Sequence, residues 1–448
     1  MDTIVAVSTP PGRSAIAVVR LSGPSCLAML QKLVRDDLFT PEHHRVTLKQ
    51  LWDDDQILDE ALVTYFRAPH SFTGEDMVEI SCHGSPVIVR RLLDLLQFDN
   101  ARLAGPGEFT LRACHNGKMN LTQAEAIRDL INAQTQAAAV QATRQLQGEL
   151  TKSLQWTKQE LIRVIVILES AVEFVEDDLP AVQIKEILES LRKTSAELTK
   201  LCASYQSGHL LRDGLRVTLA GRPNVGKSSL FNKLVRMERA IVTDIAGTTR
   251  DSLTESVSLN GVPVSLTDTA GYREAADKIE AIGIHRTRQA IADADLVVVV
   301  IDGSTALQSE DFEILQNVRE LNSIIAINKS DLPIHPEVTA HFNGAGVVHV
   351  SALSDDGISK LTPAILEPFG SLEFSEGGFV ITDSRHYDLL RRALESLSLA
   401  ETSIETDAGE ELVLADLHNA LRFLGAITGE TTSDEILGEI FSTFCIGK

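Results

Sequence analysis

The stretch Gly221-Arg-Pro-Asn-Val-Gly-Lys-Ser228 decides the fold of the central region of the chain. It follows an apolar run, Val217–Ala220, and precedes Ser229–Leu234, where the pattern predicts a helix. A G-x-x-x-x-G-K-S loop between a strand and a helix lets backbone N–H groups surround phosphate oxygens. The Lys227 ammonium then contacts the terminal phosphates, and the Ser228 hydroxyl is a ligand for Mg²⁺. We therefore predict a P-loop nucleotide-binding domain of the α/β class.

The size and composition indicate a globular protein of several domains. With 448 residues, the chain is long enough for roughly two to four domains. Hydrophobic residues make up 44% and charged residues 23%, which excludes an intrinsically disordered chain. The net charge of −22 repels polyanions over most of the surface. Any nucleic-acid partner must therefore be bound at a local basic patch or through a second protein.

Targeting signals and cysteine usage favour a soluble, cytoplasmic protein with no membrane partner. No basic segment followed by an apolar stretch begins the sequence, and no run reaches the roughly 18 apolar residues of a membrane span. The five cysteines lack C-x-x-C spacing, so we expect free thiols rather than disulfides or a zinc site. They are Cys26, Cys82, Cys114, Cys202 and Cys445.

The first 118 residues are predicted to form an α+β domain. Short β-rich runs alternate with two helical stretches, separated by Pro and Gly turns. The predicted strands are Ile4–Ser8, Ile16–Leu21, Ala61–Phe66 and Met77–Ser81, and the predicted helices are Cys26–Val34 and Val87–Leu96. Gly105–Thr110 reads as a turn-rich loop.

From Leu121 the pattern becomes helical. Thr122-x-x-Glu125 has the spacing of a capping box. Leucines every seven residues from Leu154 to Leu168 predict a long helix that ends at Glu173–Pro180, and a second helix follows. Gly208–Gly214 is predicted to be a linker.

The remainder alternates apolar strands with helices and then becomes helical again. Predicted strands buried on both faces indicate a mainly parallel sheet; they are Arg216–Ala220, Val262–Leu266, Leu296–Ile301, Ile324–Ile327 and Val347–Val350. Helices are predicted at His386–Ala400, Leu412–Leu424 and Glu435–Phe444. We infer one discontinuous helical bundle with an inserted P-loop α/β domain, with two separate bundles as the alternative. The predicted boundaries are 1–118, 119–212 (first helical segment), 213–372 (G domain) and 373–448 (second helical segment).

Three later motifs extend the predicted nucleotide site, and one of them selects GTP. Asp268-Thr-Ala-Gly271 ends a strand, so its carboxylate can hold the magnesium shell through water and Gly271 can donate to the γ-phosphate. In Asn328-Lys-Ser-Asp331, the last carboxylate can accept both adjacent N–H donors of guanine, which adenine lacks. A buried carboxylate left unpaired costs about 1–3 kcal/mol, so GTP is preferred over ATP. Ser351-Ala-Leu353 is predicted to close over the base.

Hydrolysis needs a metal ligand, a compensating cation and a positioned water. Thr248 or Thr249 could reach Mg²⁺ when the γ-phosphate is bound. Arg250 could compensate the developing charge, as could a monovalent ion. Tyr272 occupies the position where small signalling GTPases carry a water-orienting Gln, so another group must act. Glu280 is the nearest candidate, with a solvated helix-start Glu as its alternative interpretation.

The whole chain resembles the bacterial tRNA-modification GTPase family MnmE, also called TrmE. The resemblance rests on motifs at both ends and in the middle: Thr9-Pro-Pro-Gly-Arg13, Ser71-Phe-Thr-Gly-Glu75, Pro106-Gly-Glu-Phe-Thr-Leu-Arg-Ala113, Asn116-Gly-Lys118, Gln123-Ala-Glu-Ala126, Gly247-Thr-Thr-Arg-Asp251 and Phe444-Cys-Ile-Gly-Lys448. It implies an N-terminal folate-binding and dimerisation domain, a discontinuous helical domain and an inserted G domain. It also implies a cytoplasmic homodimer and a potassium-activated GTPase.

The resemblance further implies a reaction and its partners. With the FAD-dependent partner MnmG, the family adds an aminomethyl or carboxymethylaminomethyl group at C5 of the tRNA wobble uridine. The one-carbon carrier is 5,10-methylene- or 5-formyl-tetrahydrofolate. Two alternatives remain: a ribosome-assembly GTPase switch, and a folate-dependent aminomethyltransferase that acts without MnmG.

Site residues follow from the motifs and from the resemblance, position by position. The resemblance implies that the folate contacts are Arg20, Glu79, Lys118 and Lys448, and that Cys445 is the functional cysteine. It implies potassium ligands at Asn224, Thr243, Ile245 and Thr248, and it makes Thr249 the magnesium threonine beside Ser228. The catalytic residues are Glu280, Lys227 and Arg250. The expected GTP-binding set is Asn224, Val225, Gly226, Lys227, Ser228, Ser229, Thr243, Thr248, Thr249, Asp268, Thr269, Ala270, Gly271, Asn328, Lys329, Asp331, Ser351, Ala352 and Leu353.

Two stretches depart from the family pattern close to Lys118. Cys114-His115 stands where an apolar pair is common, and Met119-Asn120 replaces the usual Leu-Asp. Both put the detailed folate pocket in question.

Overall fold

A computed structural model describes residues 2–173, 181–237, 254–268, 290–344, 346–354, 356–369 and 378–447. Contacts between residues group the chain into two compact units. Unit 1 comprises Met1–Arg128 and Gly425–Lys448, and unit 2 comprises Asp129–Leu424. The four domain boundaries expected from the sequence remain predictions.

Unit 1 contains a six-stranded sheet with flanking helices. Its elements begin with β1 (Ile4–Val7), β2 (Ile16–Ser22), α1 (Cys26–Leu33), β3 (Val46–Asp53), β4 (Gln56–Phe66), β5 (Met77–His83), α2 (Pro86–Phe98), β6 (Arg102–Leu103), α3 (Glu108–His115) and the start of α4 (Leu121–Asn132). The strand order is β3-β4-β5-β2-β1-β6. Neighbouring strands are antiparallel except β1 and β6, which are parallel.

Both faces of this sheet are covered by apolar side chains. On one face, α1 and α2 bury Leu30 and Leu92 against alternate residues of β2, β4 and β5. On the other face, Phe109 of α3 packs against Ile4 and Met77. A fully buried side chain of this size contributes roughly 1.5–3 kcal/mol, so these helices are held to the sheet mainly by apolar burial.

Unit 2 contains the second sheet and most of the helices. Its elements are α5 (Gln136–Leu146), α6 (Glu149–Glu173), α7 (Ala181–Asp213), β7 (Leu215–Ala220), α8 (Lys227–Met237), β8 (Thr254–Leu259), β9 (Val262–Asp268), β10 (Leu296–Asp302), α9 (Ser309–Asn317), β11 (Ser323–Asn328), α10 (Pro336–His341), β12 (Val347–His349), α11 (Ile358–Leu366), α12 (Ser384–Glu405) and α13 (Glu410–Thr428). The last helix, α14 (Asp434–Ser442), belongs to unit 1.

The second sheet has the strand order β12-β11-β10-β7-β9-β8. All neighbours are parallel except β8 and β9, which form an antiparallel hairpin. Every residue of β10 is buried, as expected for a central strand covered on both faces. The carboxyl ends of β7, β9, β10, β11 and β12 share one edge, where ligands of open α/β sheets bind. The predicted mainly parallel sheet is confirmed.

The helices before and after the second sheet pack against each other. Tyr205 of α7 stacks on Tyr387 of α12, with ring centroids 4.4 Å apart. The hydroxyl of Ser195 donates to Glu401 at 3.0 Å. Residues about two hundred positions apart thus form one bundle, which confirms the discontinuous arrangement over two separate bundles.

The predicted linker at Gly208–Gly214 is wrong, because α7 continues to Asp213. A Cβ at position 208 would lie 2.1 Å from the carbonyl oxygen of Ile381. Gly208 is therefore required by a close backbone approach rather than by flexibility. Gly214, with φ of 71°, ends the helix by donating its N–H to Leu210 O at 3.0 Å.

Two further local predictions need correction. The cap of α4 is Asn120 rather than Thr122: its side chain accepts from Gln123 N at 3.0 Å, and the Asn120 N–H donates to Gln123 Oε1 at 3.1 Å. The loop predicted at Gly105–Thr110 is wrong from Glu108 onward, because α3 begins there and Phe109 is fully buried. Sequence patterns also missed β3, β6 and β8.

All five cysteines are free, as expected. No helix in the described ranges has both the length and the apolar character needed to cross a bilayer.

Candidate nucleotide site and C-terminal tail site

The phosphate loop joins β7 to α8, so the predicted strand, loop and helix are confirmed. Asn224 and Gly226 have φ values of 63° and 98°. A Cβ at Gly226 would lie 2.2 Å from the side-chain nitrogen of Asn328, and a Cβ at Gly221 would lie 2.5 Å from Val300 O. Space therefore requires glycine at both positions, and at Gly226 the positive φ requires it as well.

Lys227 lies inside the curve of this loop. Its Nζ donates to Gly221 O and to Arg222 O, each at 2.8 Å, and the residue is buried. Asp268, also buried, ends β9 and lies opposite Leu219 in the register with β7. A buried lysine, a buried carboxylate and a helix N-terminus therefore meet at the carboxyl edge of the sheet, which suits a phosphate and a divalent cation.

Asn328 connects the phosphate loop to the loop after β12. Its Nδ2 donates to Val225 O at 2.8 Å, and its Oδ1 accepts from Ala352 N at 3.2 Å. Only 2% of the residue is exposed, so loss of either bond would leave a buried polar group without its partner. One amide side chain thus sets the spacing between two loops.

Asp331 and Ser351 form the other end of the site. The fully buried Ser351 donates its hydroxyl to Asp331 Oδ1 at 2.6 Å. The same hydroxyl accepts from Leu353 N and Ser354 N at 3.3 and 3.1 Å. Asp331 is exposed, whereas the sequence-based preference for GTP assumed a buried carboxylate; its carboxylate is positioned by Ser351 while remaining accessible to a ligand.

Sequence reasoning missed Asp302, the last residue of β10. Its carboxylate accepts from Lys329 Nζ at 2.6 Å and from the N–H and hydroxyl of Ser304 at 3.0 and 2.7 Å. Burial raises the pKa of Asp302, but these hydrogen bonds outweigh burial and leave the pKa below its ordinary value. The sequence feature that could have identified Asp302 is the Asp302-Gly303 pair, a turn signal directly after an apolar strand.

Sequence reasoning also missed Arg222, because it occupies a position of the loop motif at which any residue type is allowed. Its guanidinium contacts Asp311 at 3.2 Å and the Thr305 hydroxyl at 2.7 Å. It therefore holds the loop after β10 to the phosphate loop.

A second cluster in unit 1 surrounds the end of the C-terminal tail, defined here as Phe444–Gly447. Arg20 and Glu79 face each other on β2 and β5, with a salt bridge of 2.6 Å. Arg20 also donates to Gly447 O at 3.4 Å, and its guanidinium carbon lies 5.8 Å from the ring centroids of both Phe72 and Phe109. The structure thus brings together two predicted folate residues and the tail.

The tail is fixed by backbone contacts. Ile446 pairs with Pro106 in a β-bridge, and Cys445 O accepts from Gly107 N at 3.3 Å. A Cβ at Gly447 would lie 2.5 Å from Val7 O, so only glycine fits there. Cys445 itself is exposed.

Lys118, another predicted folate residue, donates to Pro69 O at 2.9 Å. The loop that holds Pro69 also carries Phe72, which lies beside Arg20. Cys114 and Met119, which depart from the family pattern, pack against the buried cluster that contains Phe441 and Phe444. Burial raises the pKa of the Cys114 thiol to about 12, so this thiol stays protonated at neutral pH.

Comparisons with known proteins cover the whole chain. A model described as the MnmE helical domain matches residues 121–445, and a model described as the GTP-binding protein TrmE N-terminus matches residues 3–118. Proteins named tRNA modification GTPase MnmE are similar at 46% identity in Koribacter versatilis and 43% in Aquifex aeolicus. The matches cover 100% of this chain and 99% and 100% of those relatives. The chain belongs to the MnmE family.

Membership of the MnmE family supports the sequence-based resemblance and the multidomain fold. It leaves the individual site residues as predictions. Several of those residues lie outside the described ranges: Thr243, Ile245, Thr248, Thr249, Arg250, Thr269, Ala270, Gly271, Glu280 and Lys448.

Replacing Asn328 with Ala should separate the two loops that it joins. Two buried backbone groups lose their partner, at about 1–3 kcal/mol, so GTP and GDP affinity should fall together by about 10- to 100-fold. Titration of both nucleotides measures this. Ser330→Ala is the matched control, because the buried Ser330 hydroxyl has no hydrogen-bond partner among the described residues. Wild-type affinity in Asn328→Ala would contradict the connecting role.

Proposed function

We propose that this chain is a GTPase that acts in tRNA modification. The observation that carries the proposal is the joint placement of the phosphate loop and the Asp331 carboxylate, with Asn328 connecting the two loops involved. Phosphates bind at the N-terminus of α8, and guanine binds at Asp331 through its two adjacent N–H donors. A base without those donors leaves the carboxylate unpaired, which disfavours ATP.

The residues of the phosphate end fit a Mg²⁺–nucleotide complex. A Cβ at Gly226 would clash with the Asn328 side chain, so a glycine is required in the loop, and Lys227 is already buried beside it. Ser228 and Thr249 would ligate the magnesium ion, with Asp268 holding its water shell. Magnesium, when bound, neutralises charge on the phosphate oxygens.

Most of the residues that we propose for GTP hydrolysis lie outside the described ranges. Glu280 would orient the attacking water. Asn224, Thr243, Ile245 and Thr248 would hold K⁺, which would supply positive charge beside the phosphates, with Arg250 as the other candidate. Turnover should therefore be faster in K⁺ than in Na⁺. Equal turnover in the two salts would contradict the potassium site.

Asp331→Asn should change the base that is accepted. An amide accepts one hydrogen bond and donates one, so it suits xanthine, which presents an N–H beside a carbonyl. We expect GTP affinity to fall at least about 100-fold and xanthosine triphosphate affinity to rise. Competition titrations measure both. Glu337→Gln, the same change at an exposed residue of α10, should leave both affinities unaltered. Unchanged GTP preference in Asp331→Asn would refute the guanine assignment.

We further propose that the chain is a homodimer formed through the edge of the unit 1 sheet. β3 is an edge strand in that sheet. Leu48 faces Leu62 across the β3–β4 pair, and Val46 lies on the same face. These three side chains are 59%, 45% and 56% exposed. An apolar patch on an unpaired edge favours pairing with a second copy.

Leu48→Glu should therefore shift the protein toward monomers, because it places a charge in the apolar patch. Sedimentation velocity over a range of protein concentrations measures the change. Leu38→Glu is the control, since Leu38 is an equally apolar exposed residue of unit 1 outside its strands. A dimer as stable as the wild type would contradict this interface.

We also propose a reaction and a one-carbon carrier for this chain. A tetrahydrofolate one-carbon unit would bind near Arg20, Glu79, Lys118 and Lys448, and with MnmG the chain would modify C5 of the wobble uridine. Arg20 supports this assignment, because its guanidinium carbon lies 5.8 Å from the ring centroids of Phe72 and Phe109 and the side chain contacts the tail. Such a site suits a flat heterocycle that bears carboxylates. The exposed Cys445 thiol would act at the same end, in a cytoplasmic protein.

Titration of 5-formyltetrahydrofolate by calorimetry tests the folate proposal. The wild type should bind, and Arg20→Ala should bind at least about tenfold more weakly because it loses a charge-assisted contact. Arg45→Ala, which removes an exposed arginine paired with Glu42, should bind normally. Absence of binding by the wild type would reject the folate site and favour a ribosome-assembly switch. Modification of tRNA without MnmG would contradict the partnership.

A further inference from the structure

A groove of about 490 Å³ lies between α6 and α7 in unit 2. The charged side chains that line it are Lys152, Lys193, Lys200 and Glu197. Lys200 contacts Glu197 at 2.7 Å, and all three lysines are exposed. Within a chain of net charge −22, this groove is a local surface with excess positive charge.

Helical periodicity places these side chains on facing surfaces. Lys152 and Trp156 are four residues apart on α6, and Lys193 and Lys200 are seven apart on α7, so each pair shares one face of its helix. Leu154, Leu161, Leu191 and Leu198 are buried. The lysines therefore project from helices that are anchored by apolar burial.

Two aromatic side chains complete the groove. Trp156 is half-buried, with Lys193 Nζ 4.9 Å from its ring centroid. Phe379, from the segment before α12, also lines the space. Lysines that can neutralise phosphates beside aromatic rings that can stack on bases are the components of single-stranded nucleic-acid sites.

We propose that this groove binds tRNA, with the lysines on backbone phosphates and an unstacked base against Trp156. The inference rests on the proposed function in tRNA modification and adds a contact surface on this chain itself. Because the chain as a whole repels polyanions, RNA contact must be confined to a surface of this kind. RNA accounts for the aromatic rings as well as the lysines, whereas an acidic protein segment accounts only for the lysines.

Tryptophan fluorescence reports on this groove directly. The chain has two tryptophans, Trp52 and Trp156, so Trp52→Phe leaves Trp156 as the only one. Titration of that full-length variant with an unmodified tRNA transcript should quench Trp156. Adding Lys152→Gln, Lys193→Gln and Lys200→Gln should weaken binding at least about tenfold and lower the slope of log affinity against log salt by about 2 to 3.

A matched triple variant controls for net charge. Arg163→Gln, Lys185→Gln and Arg391→Gln remove the same charge from exposed, ion-paired positions of α6, α7 and α12 outside the groove. This control should bind tRNA like the parent. Absence of quenching by tRNA, or equal losses in both triple variants, would overturn the proposal.

Two further measurements separate the remaining outcomes. Polyglutamate at equal charge concentration should leave Trp156 fluorescence unchanged, and equal quenching by it would overturn RNA in favour of an acidic protein partner. GTP hydrolysis, measured in parallel, should be the same in all variants. Lack of hydrolysis by the wild type would refute the proposed GTPase function independently of the groove result.

Discussion

The two hydrogen bonds of Asn328 set the geometry on which the nucleotide site depends. The phosphate loop and the loop after β12 come from sequence positions more than a hundred residues apart, and one buried amide joins them through Val225 O and Ala352 N. The same side chain excludes any Cβ at Gly226. Position 226 and position 328 are therefore constrained together. The arrangement is preorganised, so a ligand need not supply the energy to bring the loops into place.

The tail gives unit 1 a comparable long-range constraint. Ser8 donates its hydroxyl to Gly447 O at 3.1 Å, and Arg20 reaches the same oxygen. Phe441 and Phe444 are buried beside Leu121 and anchor the chain at the start of the tail. The position of the exposed Cys445 is consequently fixed by its neighbours on both sides, in a tail whose Gly447 contacts Arg20.

Local chemistry made much of this structure predictable. The apolar run Leu296–Ile301 predicted a central parallel strand because a strand covered on both faces has no polar alternation. The spacing of Gly221–Ser228 predicted the phosphate loop because few backbones can surround a phosphate. By contrast, β3 was not predicted, because this edge strand has exposed Val46 and Leu48 and lacks a clear buried face. β8 had a hairpin signal in Asn260-Gly261, with φ values of 49° and 88°.

Distant contacts explain most of what sequence patterns could not predict. Position 208 of α7 is a glycine because Ile381 O approaches the helix there. No local sequence signal reveals a neighbour so far along the chain. The Asp302–Lys329 pair likewise depends on β10 and β11 being adjacent. The chemistry of each motif could therefore be predicted from the sequence. The residues that hold each motif in place could be identified only from the folded structure.

The preference for GTP that this site geometry implies is tested most directly by a competition measurement on the full-length protein. A fluorescent GDP analogue is bound in the presence of Mg²⁺ and then displaced by GTP or by ATP. Because Asn328 holds the phosphate loop and the loop that positions the Asp331 carboxylate together, we expect ATP to displace the analogue at least about 100-fold less effectively than GTP. Equal displacement by the two nucleotides would contradict it.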